Sequence, residues 1–361
     1  MRNRLLLPFV LLAGFAIAAP AAAQKTHLTV IVGLAGEPEH GEAFSRWATT
    51  LVDAAARLGV ANDSLVFLTE KPDADPKRAS GRSTKEEIAK ALGKVAASAA
   101  EDDVVFVVLI GHGTFDGKQA RFNLPGPDIS PADFEPLLKP IKSRHVVFIN
   151  TASASGPFME TLAGQGRTIV TATRSGSERF ATLFGGYFVD ALAGSEADAD
   201  RNKRVSVLEA FSWAKREVAN AYEREGIMRT ENALLNDSGG EGSPDPSPEG
   251  KQGRNAAVIS LGTAEAAEPL PDDPKLRQLY EERRDIERRV EALKLMKGGM
   301  PADRYTSELE KLLTDLALKT RQIRDIEKKA PAASASRRSE ASRSEAGERE
   351  ARGGGAPRAG K

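Results

Sequence analysis

Three stretches of the chain carry residue types that could do chemistry. His112 stands between Gly111 and Gly113, directly after an apolar run that begins at Val104. Ser153 and Ser155 lie in the stretch Thr151-Ala152-Ser153-Ala154-Ser155-Gly156, after a second apolar run that begins at His145. An imidazole within reach of a hydroxyl can take its proton and make the oxygen a nucleophile. The third stretch is a twelve-residue loop with Asp198, Asp200 and Asn202 at positions 1, 3 and 5 and Glu209 at position 12. Arg204 falls at position 7, where such loops offer a main-chain carbonyl. This is the spacing by which alternate oxygens wrap a hard cation. Position 6 requires glycine for the turn and is Lys203, so the expectation is a weak or vestigial Ca²⁺ site. The competing reading is an acidic loop that caps the next helix. No other cofactor is expected. Residues 236–242 form a fainter oxygen-rich loop with only Asp237 and Glu241 acidic, and His27, His40 and His145 show no metal spacing.

The elements that must position these groups follow from hydrophobic pattern. Continuous β-branched and aromatic runs bounded by turn residues read as strands buried on both faces of a parallel sheet. Strands are expected at 27–34, 64–68, 104–110, 145–150, 168–173 and 255–261. Apolar residues at 3–4 spacing predict helices over 43–58, 180–192 and 205–222. Ser83 with Glu86, and Ser130, mark the starts of two more, the first running to about residue 99 and the second to about 138. A small helix is expected near 158–162, and Asp116 lies close enough in sequence to orient His112. The order βαβαβ predicts a doubly wound, mostly parallel six-stranded α/β sheet with helices on both faces. In such sheets ligands gather beyond the carboxyl ends of the strands, where His112 and the two serines fall.

Outside that domain the composition changes. Residues 1–23 read as a signal peptide, with Arg2 and Arg4 before an apolar stretch and Ala21-Ala22-Ala23 as a cleavage site. A Sec-type bacterial export signal implies a periplasmic or secreted protein with no integral membrane segment once the signal is removed. The domain is placed at 27–263, with 196–245 as a helix-loop region carrying the cation-type loop, and a linker at 264–273. Leu276, Leu279, Ile286, Val290 and Leu293, then Tyr305, Leu309, Leu312, Leu316, Ile323 and Ile326, predict a C-terminal α-helical hairpin or coiled coil over 274–329. Arg283 and Lys319 interrupt its seam, which points to a coiled-coil partner or self-association through this segment. Residues 330–361 are almost devoid of apolar side chains and are expected to be disordered. Lys+Arg and Asp+Glu both number 51, which gives no basic excess for nucleic acid. The chain has no cysteine, which excludes disulfides, thiolate metal sites and a cysteine nucleophile.

With strands and motifs placed, residues 27–261 resemble the caspase/legumain-like peptidases. In that superfamily a His-Gly pair follows the third strand and the nucleophilic cysteine follows the fourth, in a context such as D-A-C-x-S-G. Here His112-Gly113 matches the first motif. Ala152, Ser155 and Gly156 match the second, with Ser153 at the cysteine position. The resemblance implies that Gly113 contributes to the oxyanion hole and that the exit of the fifth strand, 171–180, shapes the substrate pocket. The departure is chemical. A thiol ionises readily beside an imidazole, whereas a serine hydroxyl needs a base that is itself oriented. Two readings follow. In the first, the protein is a catalytically inactive pseudo-peptidase that binds a protein or peptide at the strand-end cleft. In the alternative it is a hydrolase or endopeptidase with Ser153 as nucleophile and His112 as general base.

Overall fold

The computed structural model describes residues 24–263, 270–295 and 300–352, so the expected signal segment lies outside the described residues. The domain is built on a seven-stranded sheet. Its strands are β1 (Thr26–Val32), β2 (Leu65–Thr69), β3 (Gly81–Arg82), β4 (Val104–Ile110), β7 (His145–Asn150), β8 (Arg167–Thr171) and β9 (Leu234–Asn236), in the order β3-β2-β1-β4-β7-β8-β9. All neighbours are parallel except β9, which runs antiparallel to β8. A separate hairpin pairs β5 (Gly113–Phe115) with β6 (Ala120–Phe122).

The alternation along β4 explains the layering. Val104, Phe106, Val108 and Ile110 face one core, with α1 (Pro38–Arg57), α5 (Phe184–Ala193) and α6 (Val207–Glu225). Val105, Val107 and Leu109 face the other, with α2 (Lys85–Ser98), α3 (Pro131–Leu138) and α4 (Gly156–Leu162). Every residue of β4 is buried, as a strand covered on both faces requires. Trp47 and Trp213 both pack against the first core.

The sheet has seven strands rather than the expected six, and it closes differently. Residues 255–261 do not form a strand and pair only through a single bridge, Ser206 to Ser260. Their apolar side chains Ala256, Ile259 and Leu261 plug the first core instead. The backbone there is tied down by Asp237, whose carboxylate accepts the N–H groups of Gly253 and Ala256 at 2.9 Å each. The edge position goes to β9, and a two-residue β3 takes the other edge. Edges this short leave little unpaired backbone. Helix starts also shift. Helix α1 begins at Pro38, where a proline at the first position suits the helical φ. Helix α2 is capped by Thr84, which accepts from Glu87 N–H, while Ser83 is buried and its N–H bonds Thr69 C=O. Ser130 forms the full capping box with Asp133.

Domain entry and exit meet. Thr26 Oγ1 donates to Gly262 C=O at 3.1 Å, and Thr263 N–H to Leu58 C=O at 2.8 Å. Beyond them, α7 (Pro274–Leu295) packs on α8 (Ala302–Arg352) through Ile286, Val290, Leu293 and Leu312. The seam cations are accommodated. Lys319 pairs with Glu282, and Arg283 lies over the Tyr280 ring at 4.8 Å. Tyr280 Oη donates to Glu327 at 2.6 Å. Helix α8 continues to Arg352, through residues expected to be unstructured. That stretch is rich in Ala, Arg and Glu, which favour helix even without an apolar face. Residues 264–269 of the linker, the turn at 296–299 and residues 353–361 lie outside the described residues. Among the described residues no helix is long and apolar enough to cross a membrane.

Candidate functional site

Parallel register brings the two chemical stretches side by side. Leu109 on β4 is level with Asn150 on β7, so both chains leave the sheet together. His112-Gly113 and Thr151–Ser155 then run against each other. The approach is so close that a Cβ on Gly113 would lie 2.2 Å from Ser153 C=O, which only glycine permits.

Ser153 is 3 % exposed. Its Oγ donates to Gly113 C=O at 3.1 Å and accepts Gly113 N–H at 3.3 Å. Both hydrogen-bonding directions of the hydroxyl are therefore spent on one residue, including the N–H expected to face an oxyanion. The His112 ring is turned elsewhere. It packs edge-on against His40 at 4.6 Å and Phe44 at 5.0 Å between ring centroids, both from α1. The Ala35 carbonyl lies near the ring and favours its protonated form. Burial, then the neighbouring His40, pull its pKa below the ordinary 6.5, and the Ala35 carbonyl offsets part of this. Among the described residues no hydrogen bond links His112 to Ser153.

Asp116 does not orient His112. Its carboxylate caps the following turn, accepting Lys118 and Gln119 N–H at 2.9 Å each, and pairs with Arg121 at 2.9 Å. These donors hold its pKa down at about 2. The His112 ring is instead packed against His40 and Phe44.

Ser155 has a different task. It is fully buried, accepts Thr173 N–H at 3.1 Å and pairs with Thr173 Oγ1 at 3.1 Å. Thr173 Oγ1 in turn accepts Gly156 N–H at 3.1 Å. This knot binds the exit of β7 to that of β8. Between the two serines Ala154 takes a left-handed φ of 52°, and its N–H bonds Glu178 C=O at 2.8 Å. The loop after β8 is thereby fixed to the serine turn. It also touches the histidine loop, because Gly176 lies under the Phe115 ring.

That same loop builds a pocket on its far side, one that pattern reading did not single out. Arg174, Lys215, Arg229, Glu231, Leu234 and Asp245 are among its lining, and its volume is about 250 Å³. Glu231 is 2 % exposed and accepts Leu183 and Phe184 N–H at 2.8 and 3.0 Å, at the start of α5. Burial pushes its pKa up, against those two bonds. The residue types were visible in sequence, but their convergence depends on β9, which was not.

The cation-type loop is folded back on itself. Asp198, Asp200 and Glu209 offer oxygens within 4.8 Å of one another. Asp198 accepts Asn202 N–H at 3.1 Å and Lys203 N–H at 2.9 Å. Arg204 N–H bonds Asn202 Oδ1 at 2.8 Å. Glu209 forms a capping box with Ser206 and also accepts Ala199 N–H at 2.9 Å. Lys203 has the left-handed φ of 68° that position 6 demands. Burial, with Glu209 and Asp198 nearby, raises the pKa of Asp200 despite its bond from Asn202 N–H. At 236–242 Asp237 is consumed by backbone amides, so that stretch is a structural turn.

Residues 81–235 match the model of the Peptidase C13 family, and the matched span contains both strand ends and the loop after β8. No curated protein matches the chain. The mostly parallel sheet with helices on both faces is the architecture of that group. Over residues 81–235 the chain thus matches the legumain family of peptidases within the caspase-like clan.

Proposed function

We propose that this is a legumain-type fold whose strand-end cleft binds polypeptide without cleaving it. One observation carries the reading: the Ser153 hydroxyl proton is directed to Gly113 C=O, not to His112. A serine becomes nucleophilic when an oriented imidazole takes that proton. Here the imidazole packs against His40 and Phe44, and the N–H that would steady an oxyanion is already bonded to Ser153 Oγ. The chain also lacks the thiol with which this family's histidine works. The basic and apolar leader of residues 1–23 supports export to an extracytoplasmic compartment. The helical pair at the C-terminal end supplies a second surface, for a coiled-coil partner or another copy of the chain.

A fluorophosphonate probe tests the central point. The full chain should remain unlabelled under conditions that label a control serine hydrolase. Labelling that disappears in Ser153→Ala would establish Ser153 as a nucleophile and refute the reading.

A further inference from the structure

A cavity of about 250 Å³ lies between α2 and β2, and His27 of β1 is part of its lining. The charges around it are of two kinds. Glu87 and Lys90 pair with each other at 3.2 Å and cancel. Asp63 and Lys94 do not. Among the described residues Asp63 bonds only the neighbouring Ser64 hydroxyl, at 3.1 Å, and Lys94 Nζ has no hydrogen-bond or ion-pair partner. One unpaired acid and one unpaired base therefore border the same cavity without meeting each other.

A third group is polar and buried. His27 is 5 % exposed, and its Nε2 lies 3.3 Å from Asp103 Oδ2. The Asp103 carboxylate also accepts the N–H groups of Lys25 and Ala100, at 2.9 and 2.8 Å, which fixes it as an acceptor. His27 Nε2 thus carries the hydrogen, and in the neutral ring Nδ1 holds a lone pair. Among the described residues Nδ1 has no partner, although the ring lines the cavity. A buried acceptor calls for a donor. Strand register sets this acceptor beside the acid. Leu28 is level with Leu65, so His27 and Ser64 share one end of the β1–β2 pair, next to Asp63.

We propose that this cavity binds a free aliphatic α-amino acid as its zwitterion. Its ammonium sits at Asp63 and His27 Nδ1, its carboxylate at Lys94, and its side chain over Leu65, Val66 and Val95, which line the same cavity. An ammonium has three donors, enough for a carboxylate and an imidazole together. The ligand is dipolar because the cavity offers one unpaired charge of each sign: a plain anion would face Asp63, and a plain cation would face Lys94. A volume just below the ~300–1,000 Å³ of larger small-molecule sites suits a ligand of this size. The site is separate from the strand-end cleft and does not depend on the role proposed for it.

The test uses the full chain with isotope-labelled histidine, followed by nitrogen NMR. L-leucine should move the His27 Nδ1 resonance saturably and leave the ring of His112, beyond the other end of the sheet, in place. Calorimetry then compares three ligands. Leucinamide lacks the carboxylate and N-acetyl-leucine lacks the ammonium. Each should bind at least about threefold more weakly than leucine, the scale of one exposed ion pair. Lys94→Gln should weaken leucine by the same factor and leave leucinamide unchanged. Asp63→Asn should weaken leucine and leave N-acetyl-leucine unchanged. Both positions are exposed, so the fold tolerates these substitutions. The proposal is overturned by an unmoved His27 resonance or by either analogue binding as tightly as leucine. It is equally overturned if both variants bind leucine like the parent.

Discussion

The two serines of the motif should respond differently to loss of their hydroxyls. In Ser155→Ala the Thr173 N–H, fully buried, loses its acceptor, and Thr173 Oγ1 loses a partner. A buried donor left unpaired costs about 1–3 kcal/mol, and the second bond adds about 0.5–1.5. The expected loss is therefore about 2–4 kcal/mol. In Ser153→Ala the groups released are the N–H and C=O of half-buried Gly113. Water can reach such groups, and the expected loss is about 1 kcal/mol or less. Urea denaturation followed by the fluorescence of Trp47 and Trp213, both against the first core, reads the difference. In melting temperature Ser155→Ala should fall by roughly 2–4 °C per kcal/mol. Thr173→Val closes a double-mutant cycle and should show a coupling above about 0.5 kcal/mol with Ser155→Ala. If Ser155→Ala is within about 0.5 kcal/mol of the parent, or Ser153→Ala is the more damaging, the division of labour drawn between them is wrong.

Two further outcomes are expected. Gly156→Ala puts a Cβ 2.3 Å from the Arg174 carbonyl carbon and oxygen and should cost at least about 3 kcal/mol, whereas Gly93→Ala, mid-α2 with nothing within 4 Å, should stabilise by about 1 kcal/mol; equal melting temperatures for the two variants contradict this. His112 and His145 both titrate below 6.5 in the fold, burial being the first cause for each, with His40 next for one and Arg144 for the other. The unfolded chain then takes up protons first, so their contribution to stability is full above about pH 6.5 and is lost as pH falls through the folded values. Ring-proton NMR showing His112 at or above 6.5 contradicts the assignment.

How much of this was legible depended on where each signal resides. The runs 104–110 and 145–150 are long, β-branched and buried on both faces, so strand, layer and site position followed from pattern alone. Residues 234–236 are too short to stand out, and 255–261 alternate like a strand while their side chains merely fill the core. Proximity in sequence suggested Asp116 for His112, but Asp-Gly is a turn signal, and the aspartate caps its own turn. The rings that pack on His112 are His40 and Phe44, brought in by α1, a contact that sequence spacing does not reveal. The left-handed turn at Lys203 was expected from the loop spacing and is observed.

The hydrogen bond from Thr26 to Gly262 fixes more than the domain's seal. Strands β1, β4 and β7 all enter the sheet at that end and release their chemistry at the other. The segments before β1 and after Gly262 therefore join the domain at the end of the sheet opposite Ser153. Whatever grips the protein by either end of its domain leaves the strand-end face of the sheet unobstructed by that grip. The same plan separates assembly from ligand capture, so copies joined through their C-terminal helices would display their clefts on the periphery, where several could engage one target at once.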